Sequence, residues 1–126
     1  GGRGIMAMAG EINDASAATN LTSYKANLKS LIAVAKAVGS VLVMNGNQVD
    51  TALVAQATAV QYRDAARAAA LESGVAFWDS AAVLGTYAVA NAAGDMFDQT
   101  HPNVQGQGKL AAALDSGYFA QIEARL

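Results

Sequence analysis

The segment Asp98-Gln99-Thr100-His101-Pro102-Asn103 brings together the residue types that move protons. It holds the only histidine and the only proline of the 126-residue chain, and Asp98 precedes His101 by three residues. A carboxylate at this spacing, in a tight turn, can orient an imidazole and stabilise its charged form. Pro102 has a fixed φ and restricts His101 to extended backbone, so the ring stands on a stiff piece of loop. The segment predicts an acid–base pair that would activate a nucleophile, although the usual sequence context of such a nucleophile is missing from the chain.

Composition excludes several classes of protein and site. The length predicts a single domain over residues 1–126. Hydrophobic residues make up 53% and charged residues 14%, and the net charge of −2 comes with only eight scattered Lys and Arg, which argues against a nucleic-acid surface or a polybasic membrane anchor. No apolar run reaches the roughly 18 residues that a membrane span needs. Without cysteine, and with one histidine, we expect neither a thiolate nucleophile nor a transition-metal site. The cellular compartment stays open.

Strand and helix patterns alternate along the chain. Short, continuously apolar runs predict strands that are buried on both faces, and apolar residues at helical spacing predict the helices between them. The predicted strands are Ile5–Ala9, Val41–Met44 and Val75–Trp78. The predicted helices are Leu21–Val38, a second one from Asp50 or Thr51 to Ser73 that Gly74 ends, and a third from about Val104 with a break near Ser116-Gly117. The alternation predicts a three-layer α/β/α fold of the flavodoxin-like type, with a parallel sheet covered on both faces.

Polar residues follow each predicted strand. In parallel sheets of this kind, ligands bind beyond the carboxyl ends of the strands. Gly10–Asp14 follows the first strand, Asn45-Gly46-Asn47 follows the second, and the loop that carries Asp98 and His101 comes after the third. We therefore expect these three segments to meet at one edge of the sheet.

Asp98–Asn103, followed by Gly106 and an apolar helix, resembles the closing motif of the SGNH (GDSL) hydrolases, which reads D-x-x-H-P, then Gly, then helix. The stretches Tyr62–Ala68 and Ser73–Asp79 resemble the helix, strand and Asp that precede this motif in the family. Ile5–Asp14 resembles the family block in which a strand ends in G-x-N-D. The resemblance covers nearly the whole chain and implies an ester hydrolase that needs no cofactor.

The resemblance implies a role for each matching residue. His101 would be the general base and Asp98 the carboxylate that orients it. Asn13 would donate a hydrogen bond in the oxyanion hole, where each such donor is typically worth roughly 3 kcal/mol. Here Glu11 and Ile12 both stand between Gly10 and Asn13, whereas the family has one residue there.

The family blocks that carry the nucleophilic serine and an oxyanion glycine have no counterpart in this sequence. We therefore expect the chain to be the C-terminal part of a hydrolase domain, without two strands and the serine, and to have no serine-esterase activity alone. The substrate class stays open between sugar O-acetyl groups, lipid esters and thioesters. A non-catalytic carbohydrate-binding or structural module that retains the fold, as in a phage tail or surface protein, is the alternative, and a flavodoxin-like binding domain without esterase ancestry is a third.

Other polar residues have simpler interpretations. Asp14 and Asp79 are expected to be helix-cap or loop carboxylates, Asn45 and Asn47 to shape a turn, and Glu11 is left open between the surface and the site. The serines are expected to be caps or helix surface. The strand Ile5–Ala9 would be an open, apolar edge, and such edges recruit other chains. We expect the isolated chain to self-associate or to be partly folded.

Overall fold

Three parallel strands form one sheet, with the second strand in the centre. The computed structural model describes residues 4–8, 14–15 and 17–120. The strands are β1 (Gly4–Met8), β2 (Gly39–Met44) and β3 (Ala76–Trp78), in the order β1-β2-β3. The register runs from Gly4 opposite Gly39 to Met8 opposite Val43, and from Leu42 opposite Ala76 to Met44 opposite Trp78. The predicted parallel α/β architecture with about three strands is confirmed.

Helices connect and follow the strands. They are α1 (Leu21–Lys36), α2 (Gln56–Glu72), α3 (Ala81–Leu84), α4 (Tyr87–Ala92) and α5 (Val104–Leu114), and a π-helical turn (Asp115–Phe119) continues α5. The Asn20 carboxamide oxygen caps α1, since it accepts hydrogen bonds from the backbone N–H groups of Thr22 (3.0 Å) and Ser23 (3.2 Å). No helix in the described part of the chain combines the length and the apolar composition that crossing a bilayer requires.

The main core lies between the sheet and the pair α1 and α2. Alternate strand residues point to opposite faces, and Val41 and Val43 of β2 join this core while Leu42 does not. The rings of Tyr24 and Tyr62 pack edge to face across the two helices, with centroids 5.2 Å apart. The other buried members of this core are mostly small or branched: Ala15, Ile32, Ala35, Val49, Val54, Ala59, Ala66, Ala69 and Ala70. Many alanines allow α2 to approach the sheet closely.

The second face of the sheet is covered by the C-terminal half. Leu42 is fully buried, and Leu84 of α3 and Ala90 of α4 are buried as well. Met44 and Trp78, which pair in register, line a groove with residues of α5. This groove therefore lies at the carboxyl ends of β2 and β3.

Two predicted boundaries differ from the structure. α2 begins at Gln56 rather than at Asp50 or Thr51, because Asp50 accepts the backbone N–H groups of Leu53 and Val54 in a turn and its carboxylate accepts that of Ala52. The predicted break near Ser116-Gly117 is a π-helical widening. At the other end of α2 the prediction is confirmed: Gly74 has φ of 67° and the N–H of Val75 bonds to Ala70, which is a helix stop that glycine favours.

Candidate functional site

The histidine lies in a narrow loop whose two sides are hydrogen-bonded to each other. The N–H of Phe97 donates to the carbonyl of His101 (2.8 Å), and the N–H of Asn103 donates to that of Asp95 (2.8 Å). Met96 and Pro102 form an isolated antiparallel bridge between these two bonds. The loop therefore holds Asp98 and His101 at its tip by backbone contacts within nine residues.

At that tip, Asp98 and His101 form a hydrogen-bonded pair. The Nδ1 atom of His101 lies 2.9 Å from Oδ2 of Asp98 and 3.1 Å from Oδ1. Oδ1 also accepts the backbone N–H groups of His101 (2.6 Å) and Thr100 (2.7 Å). The His101 ring, followed by these two N–H groups, lowers the pKa of Asp98 from 3.8 to about 2. Asp98 is therefore ionised at neutral pH.

The charge on Asp98 determines which ring nitrogen of His101 carries the proton. A carboxylate can only accept hydrogen bonds, so in the neutral ring the hydrogen sits on Nδ1 and Nε2 keeps its lone pair. The His101 side chain is 70% exposed, and among the described residues no group is hydrogen-bonded to Nε2. The pair thus has the tautomer and the accessibility that a general base would need.

The base of the loop rests on a buried carboxylate. Asp95 is 2% exposed, and it accepts hydrogen bonds from Lys109 (2.7 Å) and Gln105 (2.8 Å) of α5. The hydrogen bond from Lys109 is the main cause that lowers the pKa of Asp95. The two bonds attach α5 to the loop that precedes it.

Asn103 connects the loop to the start of α5. Its side-chain oxygen accepts the N–H of Gly106 (3.0 Å) and caps the helix, while its amide donates to the carbonyl of Gly94 (2.7 Å). Gly106 lies against the loop itself: a Cβ placed there would be 2.4 Å from the carbonyl oxygen of Asp95 and 3.0 Å from Cβ of Pro102. This close approach is the physical reason for a glycine at that position.

The loop that follows β2 supports the histidine loop. The side-chain amide of Asn47 donates to the carbonyl of Thr100 (2.9 Å). The N–H of Asp50 donates to the carbonyl of Gln99 (2.9 Å), and the Gln99 side chain donates back to the Asp50 carboxylate (3.2 Å). Two of the three predicted segments therefore meet at the carboxyl edge of the sheet, as expected. The sequence predicted that Asn47 shapes a turn, and its place directly after a buried strand was the available signal for a contact with the site.

A buried polar network joins the ends of β2 and β3. The side chain of Asn45 is 2% exposed; it donates to Asp79 (2.7 Å) and accepts the N–H of Ser80 (2.8 Å). Asp79 also accepts the N–H of Ala81 (3.0 Å) and pairs with Arg67 (3.1 Å). Asp79 is thus a loop carboxylate, as predicted. Ser80 stands at the N-cap position of α3, in line with the expected caps or helix surface, but its buried hydroxyl donates to the carbonyl of Asn45 (2.9 Å) and does not cap the helix.

Among the depressions formed by described residues, two help to locate the site. One, of about 220 Å³, lies at the carboxyl ends of β2 and β3 and is lined by Met44, Asn45, Gly46, Asn47, Trp78, Ser80, Leu110, Ala111 and Leu114. Asn47 is therefore shared between this groove and the support of the histidine loop. The other, of about 460 Å³, is formed by Lys29, Ala33, Lys36, Glu72 and Ser73 at the α1–α2 pair, and none of the candidate site residues lines it.

Some of the predicted site cannot be placed. Asn13, expected in an oxyanion hole, lies outside the described residues, as does Glu11. Asp14 is half-buried, and its carbonyl accepts the N–H of Thr19 (3.0 Å). Within the described ranges, no serine hydroxyl is hydrogen-bonded to His101. In the same ranges, no group of three His, Asp or Glu side chains is gathered as a metal site would require.

Comparison with known proteins identifies a family and a fold. The profile of the GDSL-like Lipase/Acylhydrolase family matches residues 6–109. The acetylxylan esterase Axe2 of Geobacillus stearothermophilus has a similar structure, with a TM-score of 0.67 and 21% identity over 89% of this chain and 57% of that one. Two catalytic mutants of the same esterase, one altered at a serine and one at a histidine, match with TM-scores of 0.67 and 0.60, at 21% and 18% identity over the same shares. The chain therefore spans 57% of the length of these esterases. No curated protein sequence matches it significantly.

Proposed function

The chain belongs to the GDSL-like Lipase/Acylhydrolase family, and we propose on that premise that it supplies the acid–base half of an ester hydrolase. The observation that carries the proposal is the Asp98–His101 pair, with Nδ1 bonded to an ionised carboxylate and Nε2 open to solvent. The nucleophile is a serine hydroxyl contributed by residues outside this chain, as the catalytic serine and histidine mutants of the esterase with the same fold suggest.

In the proposed reaction, Nε2 of His101 takes the proton of the serine hydroxyl while its oxygen attacks the ester carbonyl. Asp98 stabilises the resulting imidazolium and keeps the ring oriented. The imidazolium then protonates the leaving alcohol, which leaves an acyl-enzyme. Water, deprotonated by the same Nε2, attacks the acyl-enzyme, and the proton returns to the serine as the acid departs. Acylation and deacylation each end with His101 in the neutral form that Asp98 orients.

Asn13 is proposed as an oxyanion donor. It stands five residues after the end of β1, the strand next to β2, and residues after such strands reach the carboxyl edge of a sheet. An amide N–H there would stabilise the negative oxygen that forms as the serine attacks.

The proposed substrate is an acetyl ester of a carbohydrate. Proteins described as acetylxylan and acetyl-xylooligosaccharide esterases share the fold at 21% identity. The exposed position of the His101 ring suits an ester carried on a large, soluble alcohol. Lipid and thioester substrates are the competing classes.

The test uses the complete protein that contains this chain. His101→Ala should abolish p-nitrophenyl acetate turnover, and Asp98→Asn should lower it by about 10⁴-fold, while circular dichroism stays unchanged. Asn91→Ala, at an exposed position on α4, is the matched control and should keep full activity. Retained turnover in His101→Ala would overturn the assigned role, and an inactive parent protein would favour a non-catalytic carbohydrate-binding module.

Substrate class is tested separately with the active parent protein. Acetate release from acetylated xylooligosaccharides should exceed hydrolysis of a p-nitrophenyl palmitate emulsion at equal ester concentration. The opposite order would favour a lipase.

A further inference from the structure

We propose that Asn47 is a positioning residue for catalysis, whose side-chain amide fixes the Asp98–His101 pair against the carboxyl end of the sheet. The inference rests on the proposed hydrolase function and adds a residue to it. Asn47 stands three residues after β2, and its Nδ2 atom donates to the carbonyl of Thr100 (2.9 Å), directly before His101. The same amide donates to the carbonyl of Gln48 (3.2 Å), which orients it within its own loop.

A second contact acts on the neighbouring peptide of the histidine loop. The N–H of Asp50 holds the carbonyl of Gln99 (2.9 Å), and the Gln99 side chain reaches the Asp50 carboxylate (3.2 Å). The carbonyls of two consecutive residues before His101 are therefore both held from the loop after β2. Two adjacent anchors fix the direction of the backbone as well as its position.

The supporting loop is itself firmly attached. Val49 and Val54 are buried in the main core. Gln48 is buried as well, and its side-chain oxygen accepts a hydrogen bond from Gln56 in the first turn of α2 (3.0 Å). Because this loop is fixed to the core, its hydrogen bonds hold the histidine loop in a defined position relative to the sheet.

Asp98 and Asn47 are expected to affect His101 in different ways, and the difference can be measured. Asp98 bonds to His101 within the same turn, so the tautomer of the ring does not need Asn47. What Asn47 determines is where the ring stands relative to groups on other strands. A misplacement of about 1 Å in an active site can lower the rate about 100-fold. Loss of Asn47 should therefore slow the reaction while the hydrogen bond between Asp98 and His101 stays in place.

The first test measures amide hydrogen exchange by NMR in the complete protein that contains this chain. Asn47→Asp keeps the side-chain shape but places an oxygen where Nδ2 donates. Because one net hydrogen bond corresponds to about a tenfold change in an opening equilibrium, the Asp50 amide, whose acceptor is Gln99, should exchange about tenfold faster. Amides between β2 and β3 should change less than about twofold, which would exclude global unfolding.

Asn91→Asp makes the same chemical change at an exposed site on α4 and should leave the Asp50 amide unaffected. If Asn47→Asp does not fold, Gln99→Ala is the alternative, because it removes the side chain that donates to the Asp50 carboxylate. It should raise the exchange rate of the Asp50 amide by about threefold or more. An Asp50 exchange rate equal to the parent value in the folded variant would overturn the proposal.

The second test measures kinetics in the complete protein. Asn47→Asp should lower kcat by about 10- to 100-fold, with KM and the pH at half-maximal kcat unchanged, and Asn91→Asp should match the parent. An unchanged kcat while His101→Ala is inactive would overturn the positioning role alone. Turnover retained in His101→Ala would instead overturn the proposed function, and the exchange result would still report whether Asn47 holds the loop.

Discussion

Three donors converge on the carboxylate of Asp98: the His101 ring and the N–H groups of Thr100 and His101. All three come from the next three residues, so the geometry of the pair follows from a short turn. That is why the D-x-x-H spacing predicted the contact correctly. Pro102 contributes to the bridge with Met96, in keeping with the extended backbone expected before and at a proline.

The acid titration of Asp98 should be measurable. Its pKa falls from 3.8 to about 2, so its stabilising contribution is complete above about pH 4 and is lost as the pH falls through about 2. NMR titration of its carboxyl carbon should give a midpoint near 2. The difference in unfolding free energy between the parent and Asp98→Asn should shrink over the same interval.

Glu72 titrates in the same interval, since hydrogen bonds from Lys25 and then Lys29 lower its pKa to about 2. Glu72→Gln removes that second contribution and is the control for Asp98. A carboxyl midpoint of Asp98 at or above 3.8 would contradict the assigned hydrogen bonds.

At the scale of the element, α5 is attached by its first two turns. Asn103 caps it, Gly106 touches the histidine loop, and Lys109 and Gln105 bond to Asp95. Much of the rest of α5 is exposed. The beginning of α5 therefore determines how the helix and the histidine loop sit together.

Gly106→Ala should destabilise the protein by about 1–3 kcal/mol, because the new Cβ would meet the Asp95 carbonyl and overpacking of this kind forces backbone shifts. Gly108→Ala is the matched control on the same helix. It has nothing within 4 Å of the added Cβ and should stabilise by about 0.5–1 kcal/mol through helix propensity. Urea unfolding measures both, and a Gly106→Ala variant as stable as Gly108→Ala would refute the close contact.

The sequence predicted elements better than the contacts between them. Apolar runs identified β2 and β3, and Gly74 identified the end of α2, because these signals are local. Asp50 was expected to cap α2 but orders a separate turn. The sequence around the start of α2 is rich in alanine, so no alternation of polar and apolar residues marks the first residue of the helix. The bond from Asn47 to Thr100 spans 53 residues, and no local pattern encodes a contact of that range.

At the scale of the molecule, the edges of the sheet are its open feature. Within the described residues, β1 pairs only with β2 and β3 only with β2. Unpaired strand edges present N–H and C=O groups that can bond to another chain. The esterases with the same fold are longer, and the chain covers 57% of them. Those proteins therefore have additional residues that could cover such an edge.

The isolated 126-residue chain should self-associate or be partly folded. Light scattering coupled to size exclusion should give a mass above 12.8 kDa that rises with concentration, or thermal unfolding should be broad. A sharp monomer peak together with a cooperative transition would contradict this expectation.

The closed loop between Asp95 and Asn103 has a consequence for evolution. An acid–base pair whose shape depends on nine consecutive residues can be inherited, shuffled or duplicated as one piece, independently of the serine that it serves. Lineages that lose the nucleophile can then keep a well-formed imidazole and carboxylate for as long as the loop remains useful to folding. Surveys that count this motif alone will therefore count descendants of hydrolases together with working ones.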